Sequence, residues 1–466
     1  MFTCSSHILL TSCACDFSLL FADGKIRIGP LSLPATTRQT RPERYRIEIF
    51  ERPCRKFELD QTRLATLDSI HVLFCELGHF MLDGALTGIR VVDLSRILAG
   101  PWCTQNLADL GAEVIKVEKP GVGDDTRQWG PPYLQAESGE SMSAYFMCCN
   151  RNKKSICLDF KHASDREKLL ALIRGADVLV ENYRVGTLKQ YGLDYESIRK
   201  INPRLVYASI TGYGQTGPKS ARPGYDYIFQ GLGGLMSYTG HPDAEPGAGP
   251  LRTGVAVVDI TTGMYATSAI LAALFKRHGS GQGAWLDLAL FDVAVAMNAN
   301  QAANYLISGE NPARSGNAHP NLAPYEVFRA SDDYLILAIG NDSQFARFCA
   351  FCGHGELADD RRFSTNSERI RNLPALRAVL AEILITKPRS YWTAALDKLG
   401  ISWGAVNTLD DVFADEQVRH RQMLQTVVHP RLGPIPLVRN PMLAPGSTSG
   451  SIPPPLLGEH TSTVLD

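Results

Sequence analysis

An excess of charge of either sign is missing from this 466-residue chain, in which 47 Lys and Arg stand against 48 Asp and Glu. A general nucleic-acid binder carries a clear surplus of basic side chains, so that class is set aside. Also missing is any apolar run of the roughly eighteen residues that a membrane helix needs. Metal chemistry lacks a ligand set. Cys349-x-x-Cys352 has no two further ligands at suitable spacing, and Gly353 stands before His354 where haem attachment would need the histidine. That pair reads as helix-core cysteines. A secretory leader lacks its basic start, because the first charged residue is Asp16.

What is present is a globular composition, with 44% hydrophobic and 20% charged residues. The length suits two or three domains. Residues 1–80 differ in texture from the rest and show no sustained helical or strand period. Strand-like order begins at Met81, which is expected to be the natural start, with 1–80 an atypical extension. Cys148, Cys149 and Cys157 lie in apolar surroundings and read as buried thiols of a reducing compartment. That compartment is the cytoplasm, or the mitochondrial matrix in a eukaryote.

From residue 81 to about 310, apolar strand-like runs alternate with amphipathic stretches. Strands are expected at 89–94, 113–118, 155–160, 177–181, 205–210 and 285–291, and helices at 103–110 and 260–276. Ser164 and Glu167 have capping-box spacing for a helix through Arg174. Such alternation predicts a Rossmann-like α/β domain with a parallel sheet covered on both faces. The dinucleotide reading fails a specific test: the first strand leads into SRILAGPW, not into G-x-G-x-x-G. The GLGGLM stretch, Gly231 to Met236, reads as close helix packing. Residues 311–410 read as a smaller α+β domain with a hairpin around Asp332-Asp333. Beyond it, 411–466 reads as a segment returning to the large domain.

Asp259 ends an apolar run, and a helix of small residues follows it. It is therefore an N-cap candidate. The alternative is a nucleophilic carboxylate kept ionised by helix-terminal amides and approached closely across Gly263. Lys116, Lys119, Arg127, Lys153, Lys154 and Lys161 cluster near early strand ends, where open α/β sheets bind ligands. They suit a phosphate-rich ligand, or else a solvated surface.

In order along the chain, LTGIRVVDLSRILAGP, LGAEVIKVEKPGVGDDTR, NRNKKSICLDF, DVLVENYRVGTL, YASITGYGQTGP, RPGYDYIFQGLGGLM, GVAVVDITTGMYA and PPPLLGEHT resemble the class III CoA-transferases. That family includes formyl-CoA and carnitine CoA-transferases, and the resemblance covers about four-fifths of the chain. GDDTRQWGPP, SITGYGQTGP and QAANYLISG are similar to its succinyl-CoA:glutarate branch in particular. The resemblance implies that Asp259 is the nucleophile. It also implies aspartyl anhydride and aspartyl-CoA thioester intermediates, acyl-CoA and carboxylic-acid substrates, no further cofactor and an interlocked homodimer. Carried over by position, the CoA contacts are Leu98, Ala99, Lys119, Leu158, Lys161, Asn182, Tyr183, Arg184, Gln190, Arg222, Gly224 and Tyr225.

Leu98 and Gln190 stand where formyl-CoA transferase has a glutamine and an arginine, which points away from oxalate and formate. A dicarboxylate would want a cation for its far end, for which Arg314 or the loop 317–321 is a candidate. Two alternatives stay open. The α-methylacyl-CoA racemase branch uses a histidine where this chain has Tyr225, and a tyrosine with pKa near 10 is the poorer base. A non-catalytic CoA-binding paralogue would be expected to lose Asp259.

Overall fold

The computed structural model describes residues 82–466, apart from 138 and 448–450, together with three strands among the first 81 residues. The chain divides into two units, Met1–Gly78 and His79–Asp466. In the first, β1 (Ser6–Leu10), β2 (Phe17–Ala22) and β3 (Lys25–Pro30) form an antiparallel meander with Leu10 opposite Phe17 and Ala22 opposite Lys25. The sequence conceals these strands because Ile26 and Ile28 alternate with Lys25 and Arg27 over too short a stretch to register as a period. The expected start at Met81 lies outside the described residues.

The second unit is built on a six-stranded, all-parallel sheet. Its strands are β4 (Arg90–Asp93), β5 (Glu113–Glu118), β6 (Lys153–Cys157), β7 (Val178–Glu181), β8 (Val206–Thr211) and β9 (Ala284–Ala289). They lie in the order β9-β8-β7-β4-β5-β6, the doubly wound Rossmann arrangement. Both faces are covered, and the strands show it by period two. Val91, Val178 and Val180 join one core with α1 (Ala99–Asp109) and α4 (Val257–Ser280). Val92 and Leu179 join the opposite core with α2 (Ala163–Arg174).

Several boundaries differ from the sequence reading for physical reasons. α1 starts at Ala99 because Gly100 and Pro101 fit a first helical turn, where proline costs no hydrogen bond. β6 starts at Lys153, whose ammonium is buried against Asp93 and so hides an interior strand position behind a charged residue. The Ser164–Glu167 capping box does not form: α2 begins at Ala163, two residues before the start the box implies, with no side chain capping it, and Asp165 accepts the Asp159 amide instead. Helix α4 is long and apolar enough to cross a membrane by length and composition, but Val258, Thr262, Gly263, Ala266 and Ile270 pack inside the protein. Cys149 is buried as expected and Cys103 is buried as well, whereas Cys148 is exposed and Cys157 only half-buried.

Gly233 lies between α3 (Asp226–Leu232) and α5 (Leu290–Ala296), where a Cβ would come 2.5 Å from that of Ala294. Its absence permits the helix contact read from GLGGLM. A separate core forms from β10 (Tyr325–Arg329), β11 (Tyr334–Ala338) and β12 (Ser402–Ala405) under α6 (Asp342–Phe351), α7 (Leu373–Leu384) and α8 (Arg389–Leu399). Asp332-Asp333 turns its hairpin, and Cys349 is buried in its core. After the hairpin of β13 (Leu424–His429) and β14 (Gly433–Val438), the tail lies against β6. Thr461 accepts the Cys157 amide at 3.1 Å, and His460 donates its own amide to the Ser155 carbonyl at 2.9 Å.

Candidate active site

The sheet order reverses between β4 and β7, so their connections leave in opposite directions and open a crevice at the carboxyl ends. Asn182, just past β7, spans that crevice. Its side chain accepts the Arg96 amide at 2.9 Å and donates to the Arg96 carbonyl at 2.7 Å. Glu181 sets the following turn by accepting the Tyr183 amide at 2.8 Å. Burial pushes the Glu181 carboxyl up to about 7.

Asp259 is the third residue of α4, not its N-cap. The capping role belongs to Asp226, whose Oδ2 accepts the amides of Val258 at 2.7 Å and Asp259 at 3.2 Å. The expectation that helix-terminal amides keep Asp259 ionised is therefore corrected, since Asp226 occupies them. Burial first, and the charge of Asp226 second, push the Asp259 carboxyl up to about 7. One turn on, a Cβ at Gly263 would stand 2.7 Å from the Ala99 carbonyl oxygen, so α1 and α4 meet almost backbone to backbone beside Asp259.

A cavity of about 350 Å³ holds Asp259 together with Leu98, Ala99, Asn182, Tyr183, Arg184, Arg222, Gly224 and Tyr225. A second, of about 310 Å³, is lined by Lys119, Leu158, Lys161 and Tyr183. Arg96 and Tyr183 belong to both walls, so the two cavities adjoin at these side chains. Gln190 is exposed and lines neither cavity.

The basic cluster read from the sequence divides. Lys116 is buried against Asp124, Lys153 against Asp93, Arg127 pairs with Glu118 and Lys154 with Glu113. Burial works against the Asp124 carboxylate, but Lys116 outweighs it and holds the group at about 2. Lys119, Lys161, Arg184 and Arg222 are exposed and form no ion pair among the described residues, which leaves them for a ligand. Arg314 is not so placed. Its guanidinium is bound to Asp243 and to the carbonyls of His241 and Ser237, outside both cavities. Asn321 is tied to Asn304 and Asn366.

Three further residues complete the site without having stood out in the sequence. Asp226 lies in a polar stretch, Arg222 to Asp226, with no period to mark it. Arg96 follows a strand as an ordinary charge would. Tyr145 is raised above the usual phenol range by burial and then by the Asp259 carboxylate. An ionised carboxylate with free cations along an adjoining groove can bind a phosphate-bearing thioester and attack its carbonyl.

The model of CoA-transferase family III matches residues 86–461. Over 82% of the chain, the sequence is 48% identical to a succinate–glutarate CoA-transferase of Agrobacterium fabrum, covering 94% of that protein. It is 42% identical to the human succinyl-CoA:glutarate CoA-transferase, over 82% of this chain and 85% of the human one. A solved CaiB/BaiF family protein from Brucella suis superposes with a TM-score of 0.71 at 47% identity, over 82% of this chain and 99% of that one.

Proposed function

The chain belongs to CoA-transferase family III, and we propose that it moves CoA from succinyl-CoA to glutarate or a similar dicarboxylate through covalent intermediates on Asp259. The single observation that carries this reading is Asp259 standing in one cavity with Leu98 and Ala99, beside a second cavity bearing unpaired cations. The acids follow those named for the similar proteins of Agrobacterium fabrum and human.

The Asp259 carboxylate attacks the donor thioester carbonyl and expels CoA thiolate, leaving a mixed anhydride. The thiolate then attacks the aspartyl carbonyl and releases the donor acid, leaving an aspartyl-CoA thioester. The acceptor carboxylate attacks that thioester, again expelling thiolate, and the thiolate takes the acyl group from the second anhydride. Asp259 returns as a carboxylate. No net proton is exchanged, and the steps alternate between oxygen and sulfur nucleophiles at a carbonyl, so no metal or redox cofactor is called for.

Each intermediate is hydrolysable, so the cavity must keep water from it. In this reading Lys119 and Lys161 bind the CoA phosphates, and Arg184 or Arg222 takes the far carboxylate of the diacid. The enzyme works as a homodimer. Incubation with succinyl-CoA and a panel of acids, with products read by mass, tests the proposal. Glutaryl-CoA formation supports it, and exchange with monocarboxylates alone overturns the dicarboxylate assignment.

A further inference from the structure

Ile97 has a backbone φ of +73°. A β-branched residue is the least suited to that region, which glycine or asparagine occupies without strain. Its neighbours show why it persists. Every backbone polar group of residues 95–97 is held by a side chain outside those three residues. Asp93 accepts the Ser95 amide at 2.9 Å, and Lys116 donates to the Ser95 carbonyl at 2.9 Å. Asn182 holds both polar groups of Arg96. Asp124 accepts the Ile97 amide at 3.2 Å, and the Cys149 thiol reaches the Ile97 carbonyl at 3.7 Å.

The held turn leads directly into the site. Ile97 lines the cavity with Leu98, Ala99 and Asp259. A Cβ on Gly100 would fall 2.3 Å from that of Ser95, so the turn folds tightly onto the start of α1. Ala99 in turn touches α4 at Gly263, one helical turn beyond Asp259. Such over-determined strain beside a reactive group is a recurrent way of fixing geometry.

We propose that Asn182 and Asp124 are positioning residues that lock Ile97 in its left-handed turn and thereby fix Leu98 and Ala99 against Asp259. The inference rests on Asp259 being the nucleophile. A purely structural clamp would affect stability and activity together; a positioning clamp separates them.

The test compares wild type, Ile97→Gly, Asn182→Ala and the double variant by kcat, KM for acyl-CoA and Tm. Ile97→Gly removes the strain, so its Tm is expected to equal or exceed that of wild type. Its backbone keeps the bonds to Asn182 and Asp124, so its kcat is expected to stay within about twofold of wild type. Asn182→Ala releases the strained turn and is expected to lower kcat about tenfold to a hundredfold, with KM moving less, and adding it to Ile97→Gly costs much less than it does alone. Wild-type kcat in Asn182→Ala, or fully additive losses in the double variant, would overturn the proposal. Should Asn182→Ala fail to fold, the double variant decides, since glycine accepts the turn without the clamp. Asp259→Ala in the same assay separates the two claims, because retained exchange there removes the nucleophile whatever the clamp does.

Discussion

Asp226 accepts the backbone amide of Asp259 at 3.2 Å, so two carboxyl groups gather at the start of one helix. Asp226 caps α4 and occupies its donors, while Asp259 faces the cavity with its carboxyl raised to about 7. An ordinary aspartate would be ionised throughout the neutral range.

The attacking form of Asp259 is the carboxylate, so kcat rises with pH through about 7 and levels off above it. At pH 5.5 the rate is expected to lie more than roughly tenfold below the plateau. A profile already flat from pH 5 upwards would contradict the raised value.

Stability runs in the opposite sense. With its folded value above the ordinary one, Asp259 contributes stability below about pH 4 that is lost as pH rises towards 7. Asp259→Asn, which cannot ionise, should therefore melt higher than wild type at pH 8. The difference should close towards pH 4, as differential scanning calorimetry can show.

Replacing Asp226 separates charge from capping. Asp226→Asn keeps an acceptor for the Val258 amide but removes the like charge, so the acid limb of the rate profile moves to lower pH. Asp226→Ala loses the cap as well and is expected to cost about 1 kcal/mol in denaturant unfolding.

Gly263→Ala tests the approach of the two helices. Its Cβ would stand 2.7 Å from the Ala99 carbonyl oxygen, a backbone atom that cannot rotate away. Overpacking of this kind costs about 1–3 kcal/mol, and here it should also lower kcat by displacing Ala99.

Lys119→Gln and Lys161→Gln address the groove. Both should raise KM for succinyl-CoA while leaving kcat nearly unchanged, because their ammonium groups lie away from Asp259 along the second cavity. The same variants should treat succinyl-pantetheine, which lacks the nucleotide, as wild type does.

Much of this was legible in the sequence where a period carried it. The parallel strands announced themselves through runs such as Val91-Val92 and Val178-Leu179-Val180, buried on both faces. Interior charges hid the rest. Lys116 and Lys153 read as surface lysines and are fully buried, because their partners Asp124 and Asp93 come from other segments. Asp259 was visible as a helix-start carboxylate, but Asp226, its cap, is 33 residues away. Asn182 lay in a visible loop, yet its grip on Arg96 across the crevice exists only once β4 and β7 are neighbours.

The central claim is that CoA passes through a covalent bond to Asp259. The most direct measurement is to incubate the enzyme with succinyl-CoA without acceptor, reduce with borohydride and map the modified peptide by mass. The account predicts conversion of Asp259 to the alcohol of a reduced aspartyl thioester, absent in Asp259→Asn, which should also lose exchange by roughly a thousandfold or more. Active exchange in Asp259→Asn, or a trapped intermediate on another residue, would contradict it.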